Sequence, residues 1–455
     1  MRQNEAAGGH GRGATKDDPR RVAFDVLRAV SRDNAYANLV LPRLLSHRGL
    51  NTRDAAFATE LGYGTLRMRG TLDDIIQVAA RRDMSRIDGA VADVLRLGVY
   101  QLLCTKVAVH AAVDTSVSLA RSACGHKPAG FVNAVLRKIS QRSSGQWLDS
   151  LVTGDEMADI AREYAHPQWI VRSVFESLPD PDEAVDALAA NNVAPHVQLC
   201  ARPGKITQTQ LCDQVNGSPG RWSSHAVTMA SGDPADVQAV KDGHAHVQDE
   251  GSQLVAEALA NAEISGPDAV WLDLCAGPGG KTAMLGALAA QRDAHVTAVE
   301  VTAHRAKLVA QATAGLPVTV HCDDGRRFSA ENGFDRVLVD VPCSGIGALR
   351  RRPEARWRRE ETDLLDLTAL QGQLLAAAVQ LARPGGVIAY VTCSSDLRET
   401  RDICAQVAGV QMLDTRECFP RDMPDLGNGP MVQLWPHLHG VDAMFCALMQ
   451  RQDVP

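Results

Sequence analysis

The sequence predicts an α/β protein: a mostly parallel sheet with helices on both faces, preceded by an all-α domain and a small α+β segment. Three observations carry this. From about residue 268, short apolar runs alternate with helical stretches, as parallel sheets require. Residues 20 to about 140 place apolar side chains at three- and four-residue spacing, as amphipathic helices do. Between these regions the pattern is mixed and short. A chain of 455 residues is long enough for two or three such domains.

The elements follow in order. "MRQNEAAGGHGRGATKDD" is Gly-rich and polar, which predicts a disordered arm over 1–18 rather than a secretory signal. "RRVAFDVLRAV", "DAAFATELGYGTLRMRGTLDDIIQVAA", "AVADVLRLGVYQLL" and "AAVDTSVSLARSA" predict a helical domain over 19–145. The pattern weakens from about 140 to 165, which predicts a linker, and 146–250 is assigned as linker plus a small α+β segment. Over 251–455, "AVWLDLC", "HVTAVE", "PVTVHC", "FDRVLVDV" and "GGVIAYVTC" are five strands. "KTAMLGALAA", "RAKLVAQATA" and "LLDLTALQGQLLAAAVQLA" are the helices between them.

Composition narrows the function. No run of about 18 uncharged apolar residues marks a membrane span. Eleven cysteines without a Cys-x-x-Cys pair give neither a zinc site nor a disulfide framework, so no metal is expected and the reducing cytoplasm is the expected compartment. A net charge of −7 means that any nucleic-acid contact must come from locally concentrated positive charge.

Ligands of open α/β sheets sit at the carboxyl ends of the strands. Here those ends collect the loop 275–281 with Glu300, Asp324, Asp340, Cys343 and Cys393. The loop "DLCAGPGGKT" contains Cys275, Ala276, Gly277, Pro278, Gly279, Gly280 and Lys281. It lacks the glycine that a P-loop needs at position 275 and the one a dinucleotide fingerprint needs at 282, which is Thr282. What survives is a nucleoside loop whose glycines let backbone amides approach a ligand, with Glu300 some 20 residues on to take the ribose hydroxyls. Methyltransferases that use S-adenosylmethionine have this arrangement, so the predicted domain is a Rossmann-like class I methyltransferase. Asp324 would face the adenine amine. The plain alternatives are a tight turn for the loop and a solvated acid for Asp324.

Two thiols and an acid at adjacent strand ends suit one methylation in particular. An unreactive pyrimidine C5 becomes nucleophilic when a thiolate adds to C6, provided that an acid meets the charge developing at N3. A base must then take the C5 proton before the thiol can leave. With a reference thiol pKa of about 8.5, such a site also needs positive charge nearby.

Together "LDLCAGPGGKT", "VLVDVPCSGIGALRRRPEARW" and "YVTCSS" resemble the NOL1/NOP2/Sun RNA 5-methylcytosine methyltransferases, a likeness running over about 166–451. The helical segments "VAFDVLRAV", "HAAVDTSVSLAR" and "GFVNAVLRKI" resemble a NusB-type RNA-binding domain, and the pairing is that of the RsmB (Fmu) subgroup. The resemblance implies S-adenosylmethionine as cofactor and a cytosine of small-subunit ribosomal RNA as substrate. It makes Cys393 of the Thr-Cys-Ser motif the nucleophile and Cys343 of the Pro-Cys-Ser motif the helper in adduct release. Asp340 becomes the ring-facing acid, while Lys281 and Arg305 fall among the residues around the cofactor. DNA cytosine methyltransferases use the Pro-Cys thiol as nucleophile, the opposite assignment. Their Glu-Asn-Val element has no counterpart here, since "ENG" at 331–333 precedes the Pro-Cys strand. After Thr-Cys-Ser the family shows a Pro-Glu-Glu-Asn-like run where this chain has "SSDLRET", keeping only Glu399; "LCARPG" also departs from the usual Leu-Arg-Val-Asn stretch.

Arg350, Arg351, Arg352, Arg356, Arg358 and Arg359 cluster around Trp357 just after Cys343, which predicts an RNA-binding mouth to the site. A solvated charged face is the alternative. The protein is expected to act as a monomer on RNA. Two other readings stand beside the methyltransferase: a non-catalytic RNA-binding ribosome assembly factor, and a methyltransferase for a different nucleic-acid atom.

Overall fold

The computed structural model describes residues 18–453. The arm expected over 1–18 lies outside the described residues except for Asp18, which caps the first helix by accepting from the Arg20 N–H at 2.9 Å. The chain forms two compact units. One holds the chain up to Arg172 together with Arg351–Arg358; the other holds Ser173–Arg350 and everything from Arg359 onward.

The first unit is helical. Its main helices are Pro19–Asp33, Ala37–Arg48, Thr52–Arg67, Arg69–Ala80, Gly89–Cys104, Val109–Cys124 and His126–Ile139. They close on a core containing Val22, Leu61, Ile75, Leu95, Leu97, Val132 and Leu136. Each such side chain removed from water contributes about 1.5–3 kcal/mol. The linker expected at 140–165 is instead largely helical, with Ser144–Asp149 and Glu156–Glu163. Both helices are short and are set by their ends: Ser143 and Gln146 form a capping box, and Asp155 accepts from the Ala158 N–H.

Arg351–Arg358 is part of this unit, and this corrects the RNA-binding expectation for several of its residues. Arg356 is fully buried and its Nη1 donates to the carbonyls of Arg67 at 3.3 Å and Ala165 at 3.0 Å. Burial, and then the Arg67 charge, lower its pKa. Glu354, also buried, accepts from the Ala37 N–H at 3.1 Å. The Trp357 ring lies so close to Gly70 that a Cβ there would come within 2.2 Å of it. Arg358 donates to the Ala35 carbonyl and stacks 4.9 Å from the Tyr36 ring centre. Arg356, Trp357 and Arg358 are thus committed to internal contacts. A run of arginines looks like a charged face in sequence because buried backbone carbonyls, which satisfy these cations, leave no mark in the pattern.

The second unit contains two sheets. The small one has β1 (Gln198–Ala201), β2 (Ser218–Pro219), β3 (Ala226–Thr228) and β4 (Ala245–Val247), in the order β2-β3-β1-β4, all antiparallel. The large one has β5 (Val270–Asp273), β6 (His295–Val299), β7 (Val318–His321), β8 (Phe334–Asp340), β9 (Ala382–Thr392), β10 (Val410–Met412), β11 (Val432–Gln433) and β12 (Phe445–Arg451). Its order is β10-β12-β9-β8-β5-β6-β7, with β11 beside β12. The five expected strands are parallel neighbours, whereas β12 pairs antiparallel with β9, and β10 and β11 pair antiparallel with β12. "MFCALMQR" has no turn-helix punctuation before it, so periodicity alone did not separate it from a buried helix.

Alternation along these strands divides the core. Leu338, Ala389, Val391, Cys446 and Leu448 face one cluster, with Leu254 and Leu285 of helices Glu250–Asn261 and Gly280–Ala290. Val337, Val339, Ile388, Tyr390, Phe445 and Ala447 face the other, with Leu374, Leu375 and Leu381 of helix Asp363–Leu381. A sheet buried on both faces must read as nearly continuous apolar runs. Helix Asp363–Leu381 has the length and apolarity of a membrane span, and it packs here against β8 and β9. The chain leaves β5 towards β6 and β7 on one side and later towards β8 and β9 on the other, so a crevice opens at the carboxyl ends of β5 and β8.

Candidate active site

At the end of β5 the chain turns through Leu274–Gly279 into helix Gly280–Ala290. Gly279 has φ 114°, and a Cβ there would lie 2.9 Å from the Ala312 Cβ, so both conformation and space require glycine. Gly277 donates its N–H to Glu300 Oε2 at 3.1 Å, and a Cβ on it would come within 2.2 Å of that oxygen. Glu300, almost fully buried after β6, also accepts from the Thr302 N–H at 2.9 Å through Oε1. Arg305 lies 3.5 Å from Glu300 and donates to the Gly277 carbonyl. The loop, Glu300 and Arg305 thus form one connected cradle. Cys275 and Ala276 hold its inner edge, Ala276 buried and Cys275 with its thiol pushed up by burial, then by Asp273. The loop contains a cis peptide at Gly277–Pro278.

Asp324 follows β7. It is held by Arg326, whose Nη2 lies 2.6 Å from Oδ2 and whose backbone N–H donates to Oδ1 at 3.0 Å. The Arg326 side chain holds the carboxyl down at about 2.

Beneath the loop, Thr282 donates its hydroxyl to Asp273 Oδ2 at 2.7 Å. Burial drives the Asp273 carboxyl up to about 7 against that hydrogen bond. Beside it, Lys281 Nζ donates to Asp340 Oδ2 at 2.8 Å. Burial works against the Lys281 charge, but Asp340 first, then Cys393 and Asp273, more than offset it and raise the pKa. The ammonium therefore faces both the acid at the end of β8 and the thiol at the end of β9.

The two thiols meet: Cys343 Sγ lies 3.3 Å from Cys393 Sγ. Parallel pairing makes this possible, because Asp340 on β8 stands opposite Val391 on β9, so the chain leaves both strands at the same level. Cys343 is partly exposed and its pKa stands well above the usual thiol value, through its hydrogen bond with Cys393, desolvation and Glu399. The Cys393 carbonyl accepts from the Gly347 N–H at 3.0 Å, and the Gly347 carbonyl from the Ala443 N–H at 2.8 Å, which anchors the second thiol's backbone to the "GVDAMF" segment. Arg350 belongs to the same neighbourhood but not to its mouth: it is buried, donating to the Gly440 carbonyl at 3.0 Å and pairing with Asp442 at 3.3 Å. Of the six clustered arginines, Arg352 and Arg359 are exposed and Arg351 is half-buried.

The sequence resemblance assigns the two cysteines and retains Glu399, but it does not reveal the polar cluster that stands behind the thiols. Ser344, Ser394, Gln371 and Glu399 form a buried polar cluster against the thiol loops. The repeated Cys-Ser in "PCS" and "TCS" was the available signal.

A family model described as "16S rRNA methyltransferase RsmB/F" matches residues 263–450, and one described as the NusB family matches 17–141. A Mycobacterium tuberculosis protein named as a methyltransferase is 52% identical over 442 residues, covering 96% of this chain and 97% of its own. Ribosomal RNA small subunit methyltransferase B of Escherichia coli O157:H7 is 31% identical over 390 residues, 82% of this chain and 86% of its own. The crystal structure of PH0851 shares the fold, with a TM-score of 0.81 at 20% identity over 96% of this chain and 99% of that one. With relatives at that identity and coverage, the chain belongs to the 16S rRNA methyltransferase RsmB/F family, carrying a NusB-family domain at its N-terminal end.

Proposed function

We propose that the protein transfers a methyl group from S-adenosylmethionine to C5 of a cytosine in 16S ribosomal RNA, through a covalent bond between Cys393 and C6. The observation that carries this reading is the 3.3 Å approach of the two strand-end thiols beside the Lys281–Asp340 pair. Methylation of an amine or hydroxyl needs no such thiols.

The cradle fits the cofactor. Gly277 and Gly279 let the loop backbone pack directly against Glu300 and helix Ala303–Ala312, and each Glu300 oxygen accepts one N–H, keeping lone pairs for a ribose diol. Asp324, Arg305 and the 275–281 loop complete the holding set. When bound, S-adenosylmethionine supplies an electrophilic methyl group.

This chain's residues do the rest. The Cys393 thiol gives its proton to water, its sulfur bonds to C6, and the C5=C6 electron pair becomes available at C5. Asp340, hydrogen-bonded to the Lys281 ammonium, would take a proton from it and hold that proton against N3 as charge grows there, returning it when C5=C6 re-forms. The two sulfurs share one hydrogen bond in which either can donate; the mechanism assigns the proton to Cys343, where burial and Glu399 favour its staying. That leaves Cys393 the better nucleophile, with the Lys281 ammonium near it. After methyl transfer the C5 proton leaves, C5=C6 re-forms and the C6–S bond breaks, with Cys343 assisting the departure.

RNA contact is proposed for Arg351 and Arg352, whereas Arg350, Arg356, Trp357 and Arg358 have internal roles. The test uses labelled S-adenosylmethionine and 16S rRNA with wild type, Cys393→Ala and Cys343→Ala. Wild type is expected to label a cytosine C5, Cys393→Ala to lose labelling, and Cys343→Ala to accumulate an RNA adduct stable on denaturing gels. Full labelling by Cys393→Ala would overturn the mechanism, and an inactive wild type that still binds rRNA would favour the assembly-factor reading.

A further inference from the structure

Glu399 is fully buried directly behind the two thiol loops. Its carboxylate accepts from the Ser344 N–H at 2.8 Å and from the Ser344 hydroxyl at 2.5 Å, both on the Cys343 loop. It also accepts from the Ser394 hydroxyl at 2.6 Å, on the Cys393 loop. Gln371, from helix Asp363–Leu381, gives one amide hydrogen bond to Glu399 and another to the Pro342 carbonyl, each at 2.9 Å. The Tyr390 hydroxyl donates to the Glu399 carbonyl at 2.7 Å, fixing the residue from β9 as well. A carboxylate with this many partners on different chain segments has one position available to it. Burying a carboxylate is costly unless its oxygens are paired, and both Glu399 oxygens are.

We propose that Glu399 is a positioning residue for the methyl transfer: by gripping Ser344 and Ser394 together it locks the Cys343 loop to the Cys393 loop and sets the distance across which the two sulfurs share a proton. This rests on the reading of Cys393 as nucleophile. Glu399 has a second effect: after the hydrogen bond with Cys393, burial and the Cys393 charge, it adds to what disfavours an anion at Cys343. The groups that face Cys343 are Cys393, with Lys281 and Asp340 beyond it, Glu399 behind it, and the Thr392 and Tyr390 hydroxyls of β9. Among these Glu399 is the acid next to the Cys343 loop itself. When the adduct breaks down, water takes the C5 proton and the freed pair re-forms C5=C6. The C6–S pair goes to the Cys393 sulfur, which takes the Cys343 proton; Cys343 is then reprotonated from water. Each bond broken is matched by one formed, and no oxidant or reductant is needed.

The experiment uses the full chain with Glu399→Gln, and with Ser344→Ala and Ser394→Ala singly and together. Two quantities are read: steady-state methylation of 16S rRNA, and the pH midpoint of Cys343 alkylation by iodoacetamide, mapped by mass spectrometry against exposed Cys322 as reference. Glu399→Gln is expected to lower kcat by about tenfold or more with KM values within about twofold. Its Cys343 midpoint is expected to fall by about one pH unit while that of Cys322 stays in place. An unchanged kcat or an unchanged Cys343 midpoint overturns the proposal. If Glu399→Gln does not fold by circular dichroism, the serine variants decide it: the double alanine variant should lose more turnover than either single one, and wild-type turnover in it overturns the proposal. The alkylation readout needs no RNA, so failure of the nucleophile assignment, seen as full methylation by Cys393→Ala, is distinguishable from failure of the Glu399 role.

Discussion

Lys281 Nζ lies 2.8 Å from Asp340 Oδ2, which ties the helix after the glycine loop to the end of β8. The raised pKa of Lys281 keeps it an ammonium throughout the neutral range. Its stabilising effect is complete below the ordinary lysine value of about 10.4 and is lost only as pH rises through the still higher folded value. Lys281→Met is expected to reduce initial methylation rates by about a hundredfold at neutral pH, with the fold retained. Rates measured from pH 6 to 9 should show no lysine titration in the wild type.

Asp273 behaves in the opposite sense to most carboxylates. Its folded pKa of about 7 lies above the unfolded value, so the native state binds the extra proton between the two. That contribution is full below about pH 4 and disappears as pH rises through about 7. Urea midpoints of Asp273→Asn and wild type, compared at pH 5 and pH 8, should show the wild type losing more stability on going to pH 8 than the variant. Equal losses would assign the proton elsewhere.

Gly277 stands where a side chain would strike Glu300 Oε2 at 2.2 Å. Gly277→Ala must displace that carboxylate, and with it Arg305. Affinity for S-adenosylmethionine, measured by calorimetry, is expected to drop by about tenfold or more, equivalent to about 1.4 kcal/mol. Affinity for rRNA should be nearly unchanged, which separates a damaged cradle from a damaged fold.

Arg356 and Arg352 are close in sequence and opposite in expected behaviour. Arg356→Ala leaves the Arg67 and Ala165 carbonyls without a buried donor and should lower stability by about 2–3 kcal/mol. The salt dependence of rRNA binding should remain as in the wild type. Arg352→Ala removes an exposed cation and should leave the melting temperature in place while reducing the slope of log affinity against log salt by about one.

The parts legible in the sequence were those fixed by local periodicity. Two-sided burial writes β8 and β9 as apolar runs, and the strand-end rule gathers Glu300, Asp340, Cys343 and Cys393 from the sequence. The antiparallel β12 was missed because its pairing with β9 is a long-range choice between runs of similar composition. The partners of Arg356 are backbone carbonyls about 190 and 290 positions away in the chain, and no local pattern encodes such partners. In the sequence Glu399 is only the retained position of a motif that is otherwise replaced. Its meaning lies in the hydroxyls of Ser344 and Ser394, which face it only once two strands are parallel and in register.

The helical unit is also not a contiguous stretch of gene. Eight residues, Arg351–Arg358, complete its interior although they are encoded nearly 180 positions after the rest of it ends at Arg172. An expression fragment that stops at the apparent domain boundary would therefore lack its own plug, with the Gly70 ledge and the Arg67 and Ala165 carbonyls laid open to water. In folding terms, a ribosome must translate through the two cysteine-loop strands' first member, β8, before the first domain it made can finish closing.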